Sequence, residues 1–487
     1  MKKTVFASLM LFAMPSEAAW WIEPNDLVLR ADIQLLSDLG IITQPITTYP
    51  LMWAGIKKEL DKTDISQLTP AAQQAYAQVQ RAWQHDMAAT SLETQISLAN
   101  QQARFTSFGD TVTDKAQLKV DASITGEYLS GRLSVNYHAD AQAGNDSRLD
   151  DSFVAATLAN WIVSYGAIPA YWGPSWESGL IQSNNARPLQ GISFSRHNSQ
   201  AFESPWIHWI GPWTFTTAFK QFESNRYVPE AKHWGARATI RPIPQLEMGA
   251  SWTMMWGGQG YGNTLSDWWD GLFNGGQDES AVENGQENML AGYDFRWSDT
   301  LLGVPYGIYY ERTHEDYHRE KKRLINASNL GGIDMYLSAI QSRVYVEYSD
   351  TKAACTPDSS LYNCMYEHGF YKDGYRYYGQ SVGSTFDNDA MVLTLGAISQ
   401  LGQQQQLITK LRWLRLNVDG NDAALPGGNS VSLGQYERGY QLYSEYQRPL
   451  WHGKLAVGAD ISLRQWPRSS LNHDWDSRVF VSWQRQF

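Results

Sequence analysis

From about Ala103 to the C-terminus, apolar and polar residues alternate along the chain with a period of two. Leu118, Val120, Ala122 and Ile124 interleave with Lys119, Asp121, Ser123 and Thr125, and after Ser130-Gly131 the pattern resumes with Leu133, Val135, Tyr137 and Ala139. That period puts one side of a strand in an apolar environment and the other in a polar one, and two such runs across a tight turn make a hairpin. The same pattern recurs in Trp213/Phe215/Thr217/Phe219, Leu246/Met248/Ala250/Trp252/Met254, Val304/Tyr306/Ile308/Tyr310 and Leu455/Val457/Ala459/Ile461/Leu463. Val479, Val481, Trp483 and the terminal Phe487 share one face of a last strand. Continued throughout, the pattern predicts strands near 103–109, 116–128, 132–139, 153–159, 161–168, 203–209, 212–220, 233–240, 246–256, 289–297, 304–312, 332–340, 343–349, 390–400, 407–418, 436–446, 455–464 and 478–487. About 18 strands, an even number, suits a single-chain antiparallel barrel.

Residues 20–98 follow a different rhythm. Asp26 is placed to cap a helix whose Leu29, Ile33, Leu36 and Leu39 share a face, and Gly40 is placed to end it. A second helix is expected over 51–60, and a third starts at Thr69 as cap with Pro70 in the first helical position. The reading is a signal peptide over 1–18, a small helical bundle over 20–98 and a barrel over 103–487.

Connections between the predicted strands alternate short with long. The short ones are 241–245, 298–303, 401–406 and 447–454; the long ones are 257–287, 319–331, 350–389 and 419–435. Short inner turns and long outer loops are the asymmetry of an outer-membrane barrel, because a closed wall satisfies every backbone group in hydrocarbon without leaving an edge. Composition agrees. The chain has 21 Trp and 26 Tyr, a mean hydropathy of −0.43, and no apolar run near the ~20 residues of a helical span. A large soluble carbohydrate-binding β protein would share that composition. Lys2 and Lys3 before an apolar run from Val5 to Met14, then Ser16-Glu17-Ala18, read as a cleaved secretory signal. Its removal takes the formal charge from −11 to −12, which argues against nucleic acid as a partner. The two cysteines, Cys355 and Cys364, are expected to form a disulfide in an oxidising compartment. No metal site or cofactor is expected, since no His is suitably spaced with them.

One stretch breaks the alternation. Ala167 to Pro188 packs Pro169, Pro174 and Pro188, Gly173 and Gly179, Trp172 and Trp176, and the pair Asn184-Asn185 into one irregular segment. Trp172-Gly173-Pro174 and Ser183-Asn184-Asn185-Ala186-Arg187-Pro188, with Pro205-Trp206-Ile207 and Gly211-Pro212-Trp213 beyond, resemble the signature of the Wzi-type capsule-assembly proteins, which are outer-membrane β-barrel lectins of Gram-negative bacteria. Asp32-Ile33-Gln34-Leu35-Leu36 and Thr48-Tyr49-Pro50-Leu51 resemble the helical domain of that family. The resemblance implies 18 strands, a bundle at the periplasmic mouth, and a non-catalytic role in anchoring capsular or related exopolysaccharide to the cell.

Two places then offer sugar-binding chemistry. In the irregular stretch, Trp172 and Trp176 have flat apolar faces for a pyranose ring, while Asn184, Asn185 and Arg187 have donors and acceptors for its hydroxyls. The same polar groups would equally satisfy backbone groups of an irregular plug. In the outer loops, Tyr261, Trp268, Trp269 and Phe273 form one aromatic group, and Tyr362, Tyr366, Tyr371, Tyr375, Tyr377 and Tyr378 a second around the cysteines. Some of these would serve instead as interfacial girdle or loop core. The run from Glu311 to Arg323, with His314 and His318, is either a solvated strand end or a contact for acidic polysaccharide or lipopolysaccharide phosphates. Outer-membrane lipids and lipopolysaccharide are expected neighbours, and a self-closed wall points to a monomer. Hydrolase, phosphate-loop and dinucleotide motifs are missing. A substrate-specific channel and an outer-membrane hydrolase are the alternatives to a lectin.

Overall fold

A computed structural model of the chain describes residues 21–273, 287–318, 323–354, 362–402, 404–422, 428–432, 434–469 and 473–487. The expected signal peptide lies outside the described residues, as does Cys355; no cysteine among those described is free.

The wall is a closed antiparallel barrel of eighteen strands. They are β1 (Thr90–Ala99), β2 (Ala116–Thr125), β3 (Leu129–Ala139), β4 (Phe153–Leu158), β5 (Trp161–Ala167), β6 (Gln190–Arg196), β7 (Trp213–Gln221), β8 (Lys232–Ile243), β9 (Leu246–Trp256), β10 (Asn288–Leu301), β11 (Val304–His318), β12 (Arg323–Leu337), β13 (Ser342–Asp350), β14 (Ala390–Gly402), β15 (Gln405–Leu416), β16 (Glu437–Leu450), β17 (Gly453–Gln465) and β18 (His473–Gln486). A two-residue strand, Ser147–Arg148, pairs beside the far end of β3. The seam closes where Phe480 to Gln486 of β18 pair with Ala99 to Glu93 of β1. Outward-facing Leu133, Val135, Ile308, Ile333, Leu395, Val457 and Val479 are exposed, while residues that alternate with them along the strands, such as Ser134, Asn136, Tyr309, Asp334, Thr394 and Arg478, are buried on the inner side. That is the two-environment wall of an outer-membrane barrel.

Two predicted strands were misplaced, and the errors compensate in the count. The segment 103–109 is not a strand: it turns inward and buries Ala103, Phe105 and Phe108. The first strand is instead 90–99, where Leu92, Ile96 and Leu98 face outward, so the barrel begins inside what was read as the end of the bundle. Likewise 203–209 forms a turn and a short 3-10 helix, and the strand is 190–196, with Ile192 and Phe194 outward between Ser193 and Ser195. Residues 323–331, expected within a long loop, belong to β12. β11 and β12 continue in register as far as His318 and Arg323.

The helices are α1 (Leu27–Asp38), α2 (Trp53–Leu60) and α3 (Pro70–Asp86). Asp26 caps α1, accepting from the Val28 and Leu29 amides at 2.9 Å each, and Thr69 caps α3 with Pro70 at its start. α1 is buried on nearly every side, which an amphipathic pattern does not anticipate. The reason is its position against β10, β11 and β14, inside the short-turn mouth of the barrel. Arg241, beside the β8–β9 turn, donates to Ser37 Oγ (2.7 Å) and to the carbonyls of Ile42 (3.1 Å) and Gln44 (3.0 Å), fastening the end of α1 to the wall.

Candidate functional site

The interior is filled in three layers. The bundle enters from the short-turn end, 168–189 crosses the middle, and 362–389 folds down from the long-loop end. Tyr171 and Trp172 pair as a two-residue ladder with Tyr49 and Thr48 of the bundle. Above, the Ser183 amide donates to the Val382 carbonyl at 2.9 Å, and Ser183 Oγ to that of Gly383 at 2.5 Å.

Irregular backbone away from water must find partners, and the barrel wall supplies them as inward carboxylates. Glu347 accepts from the Trp176 and Glu177 amides (2.7 and 3.2 Å), Glu311 from Leu180 (2.7 Å), and Glu247 from Ile46 and Thr47 (3.0 and 2.9 Å). Several wall arginines are matched to buried carboxylates. Arg296 straddles Asp334 at 2.6 and 3.0 Å, Arg343 joins Asp334 to Asp38 of α1 (2.8 Å to the latter), and Arg237 grips Asp294 at 2.6 and 3.0 Å. Arg412 donates to Glu177 at 2.8 Å. Bidentate guanidinium–carboxylate pairs of this kind are strong and directional, and removing one partner strands a buried charge.

The predicted residues of the irregular stretch belong to this packing. Trp176 is 0% exposed: it stacks on Tyr345, donates Nε1 to Asp334 at 3.1 Å, and lies 4.7 Å from the Arg30 guanidinium. Trp172 is buried too, and its ring fits because position 235 is glycine; a Cβ there would meet it at 3.0 Å. Neither ring presents a face to a ligand. Asn184 donates to the Ser107 carbonyl (3.1 Å) and Asn185 to that of Ser381 (2.9 Å), so these amides bond backbone groups. Arg187 chelates Asp150 at 2.8 Å through two nitrogens and sits 4.7 Å above the Tyr378 ring.

Beside the plug, a cavity of about 800 Å³ lined largely by polar side chains runs along β1 to β3, from His85 and Lys454 near the bundle to Arg187 and Gln380. Asn184, Asn185 and Arg187 line it together with Lys119, Asp121 and Arg132. Its charges are mixed and paired, Lys119 with Asp151 at 2.6 Å and with Asp121 at 3.2 Å.

The tyrosines near the cysteines divide. Tyr371 and Tyr375 are buried, Tyr371 donating to the Gly257 carbonyl (3.0 Å) and Tyr375 bonded to His233 (3.0 Å). Expected as outer-loop residues, they belong to the inward-folded segment. Tyr377 and Tyr378 are half-exposed beside Arg187. After β9 a short helix, α4 (Leu265–Phe273), is capped reciprocally by Thr264 and Asp267. Trp268 anchors it, packing on Phe219 at 5.3 Å and Trp234 at 5.6 Å. Trp269 is 55% exposed and rests against Phe273, ring centres 4.4 Å apart; Tyr261 is 42% exposed against Phe370. Among the described aromatic residues predicted from sequence for sugar binding, these two and Phe273, itself 59% exposed, present the most open faces.

Sequence reasoning missed a buried acidic cluster at the same end. Asp389, Asp419 and Asp422 bring carboxylate oxygens within 4.8 Å of one another. Burial, then the crowding of like charge, pushes Asp422 up to about 8 and Asp389 up to about 7. A signal existed in Asn417-Val418-Asp419-Gly420-Asn421-Asp422, whose carboxylates and turn residues alternate.

Comparison with known proteins places this architecture. The family model for the capsule assembly protein Wzi matches residues 89–477. An uncharacterized 55.8 kDa protein in the cps region of Klebsiella pneumoniae is 32% identical over 337 residues, 67% of this chain; the match spans 65% of that relative's own length. Among solved structures, Wzi of Escherichia coli, an outer-membrane protein involved in group 1 capsule assembly and a carbohydrate-binding β-barrel, superposes with a TM-score of 0.81 at 25% identity, over 96% of this chain and 99% of that one. The wall, the layered plug and the signature residues that build it therefore have one explanation: the chain is an outer-membrane β-barrel belonging to the Wzi capsule assembly family.

Proposed function

We propose that this protein is an outer-membrane lectin that holds capsular or related surface polysaccharide at the cell surface and supports capsule assembly. The observation that carries the reading is the exposure of three aromatic rings, Tyr261, Trp269 and Phe273, on the long-loop rim of a barrel whose middle is crossed by the plug. Flat aromatic faces beside loop carboxylates suit a pyranose, whose C–H face packs on the ring while its hydroxyls bond at the edge. In this orientation the bundle faces the periplasm, the mature chain starts near Ala19 or Trp20, and outer-membrane lipids, lipopolysaccharide included, surround a monomer. Cys355 and Cys364 staple the loop between β13 and β14. Peptide mapping without reductant then recovers both cysteines in one linked species, and separate recovery rejects the staple.

The functional test is deletion of the gene, followed by comparison of cell-associated with released high-molecular-weight polysaccharide. Complementation uses wild type and a Tyr261→Ala/Trp269→Ala variant. Release into the medium at constant total synthesis, rescued by wild type and poorly by the variant, is the expected result. Polysaccharide that stays attached after deletion rejects anchoring. The cavity of about 800 Å³ favours a second reading, a narrow substrate-specific channel. Steady single-channel current in planar bilayers would move that reading to the front.

A further inference from the structure

The buried acidic cluster differs from every buried ion pair of the plug described above. Two residues before Asp389, Asp387 is just as buried and fully partnered: Arg376 reaches it at 2.9 and 2.8 Å, and the Ser430 amide and hydroxyl at 2.7 and 2.6 Å. Asp389 is 0% and Asp422 4% exposed, yet among the described residues neither carboxylate oxygen of Asp422, nor Oδ1 of Asp389, has a hydrogen-bond partner. Among the described residues no ion pair reaches these carboxylates, and Lys352 is the cation whose charge is felt at Asp389. Lys352 stands 3.6 Å from Asp350, and Arg468 donates to the Asp419 backbone carbonyl at 2.7 Å.

The surrounding chain aims the carboxylates inward. Asn417 and Asp422 exchange two 3.2 Å hydrogen bonds, side chain to backbone, which closes 417–422 into a ring. Asp389 Oδ2 accepts from the Asp419 amide at 2.9 Å, and Asp419 Oδ2 from the Tyr362 amide at 2.8 Å. Carboxylates buried together without partners are neutralised by protons or by a counter-cation, and a cation held between them displaces the protons. The clustered donors are all carboxylate oxygens, with no nitrogen or sulfur among them. Such a set selects a hard cation, and three side-chain oxygens leave room for carbonyls and water to complete the six to eight ligands of Ca²⁺.

We propose that Asp389, Asp419 and Asp422 form a Ca²⁺-binding site that clasps the β15–β16 connection to the start of β14, and with it the inward-folded segment 362–389. The site lies at the long-loop end, where sites of extracellular modules work at about 10⁻⁴ to 10⁻³ M Ca²⁺. It does not depend on what polysaccharide the barrel holds.

The test uses full-length protein in detergent, stripped with a chelator and dialysed against CaCl₂, with bound metal measured by mass spectrometry. Asp422→Asn, which keeps the side-chain shape, serves as the blank and carries the same lipopolysaccharide background. About one Ca²⁺ more per wild-type chain than per variant chain is expected. Equal content overturns the proposal. Thermal unfolding of the wild type alone gives a second readout that does not depend on the variant folding. Ca²⁺ is expected to raise the midpoint more than Mg²⁺ at equal ionic strength, and identical midpoints with the two ions overturn the proposal.

Discussion

The central stretch 167–188 and the rim segment 257–273 have similar ingredients, tryptophan pairs among glycine, serine and asparagine or aspartate, yet they serve opposite ends. Trp176 is sealed against Tyr345 and Asp334, whereas Trp269 opens to solvent with Phe273 and Trp268 behind it. The difference lies in what stands opposite. The central stretch faces strand positions carrying Asp334, Glu311 and Glu347, which accept from its backbone and indole groups, so every turn of it is fixed. The rim helix rests on the wall through Trp268 alone of the pair, leaving its neighbour free. An aromatic residue in an irregular segment is thus assigned to packing or to binding by the chemistry across from it.

That contrast can be broken by substitution. Asp334→Ala leaves the buried Arg296 and Arg343 guanidiniums with Asp38 as their one shared carboxylate and is expected to cost about 3–5 kcal/mol, seen as loss of the heat-resistant folded band on gels or a large drop in detergent melting temperature. Trp176→Ala leaves a void and takes the indole donor from Asp334, at about 3–5 kcal/mol in the cavity series and toward the lower end here. A neutral result would mean that the plug is not what holds this ring. Arg187→Ala removes a two-pronged bond to a partly buried Asp150 and should cost about 1.5–3 kcal/mol, with any conductance rising as the adjoining cavity widens. Trp269→Ala should change stability by less than about 0.5 kcal/mol while lowering retention of polysaccharide on cells. Unfolding of that last variant, or retention unaffected by it, would erase the distinction between the two regions.

Alternation made the wall readable because each strand meets the same two environments, lipid outside and polar interior inside. Where the readings slipped, at 103–109 and 203–209, apolar residues were burying into the lumen or crowding the short-turn rim, and period two alone does not say which side of the wall they serve. The plug was legible as a rigid irregular object from its prolines and glycines. Its partners were not, since Arg343 reaches Asp38 across 305 residues and no local pattern carries such a pairing. Asn184, Asn185 and Arg187 have the polar groups of a sugar site, and only the positions of Ser107, Ser381 and Asp150 give them their structural work. The acidic cluster went unread for the same reason, because Asp389 and Asp422 belong to different connections.

The seam between β18 and β1 bears on how the cell makes this protein. α3 ends at Asp86 and β1 begins at Thr90, so residues 87–89 tether the helices to the strand that completes the wall. The pairing that finishes the cylinder therefore draws its stopper into the mouth.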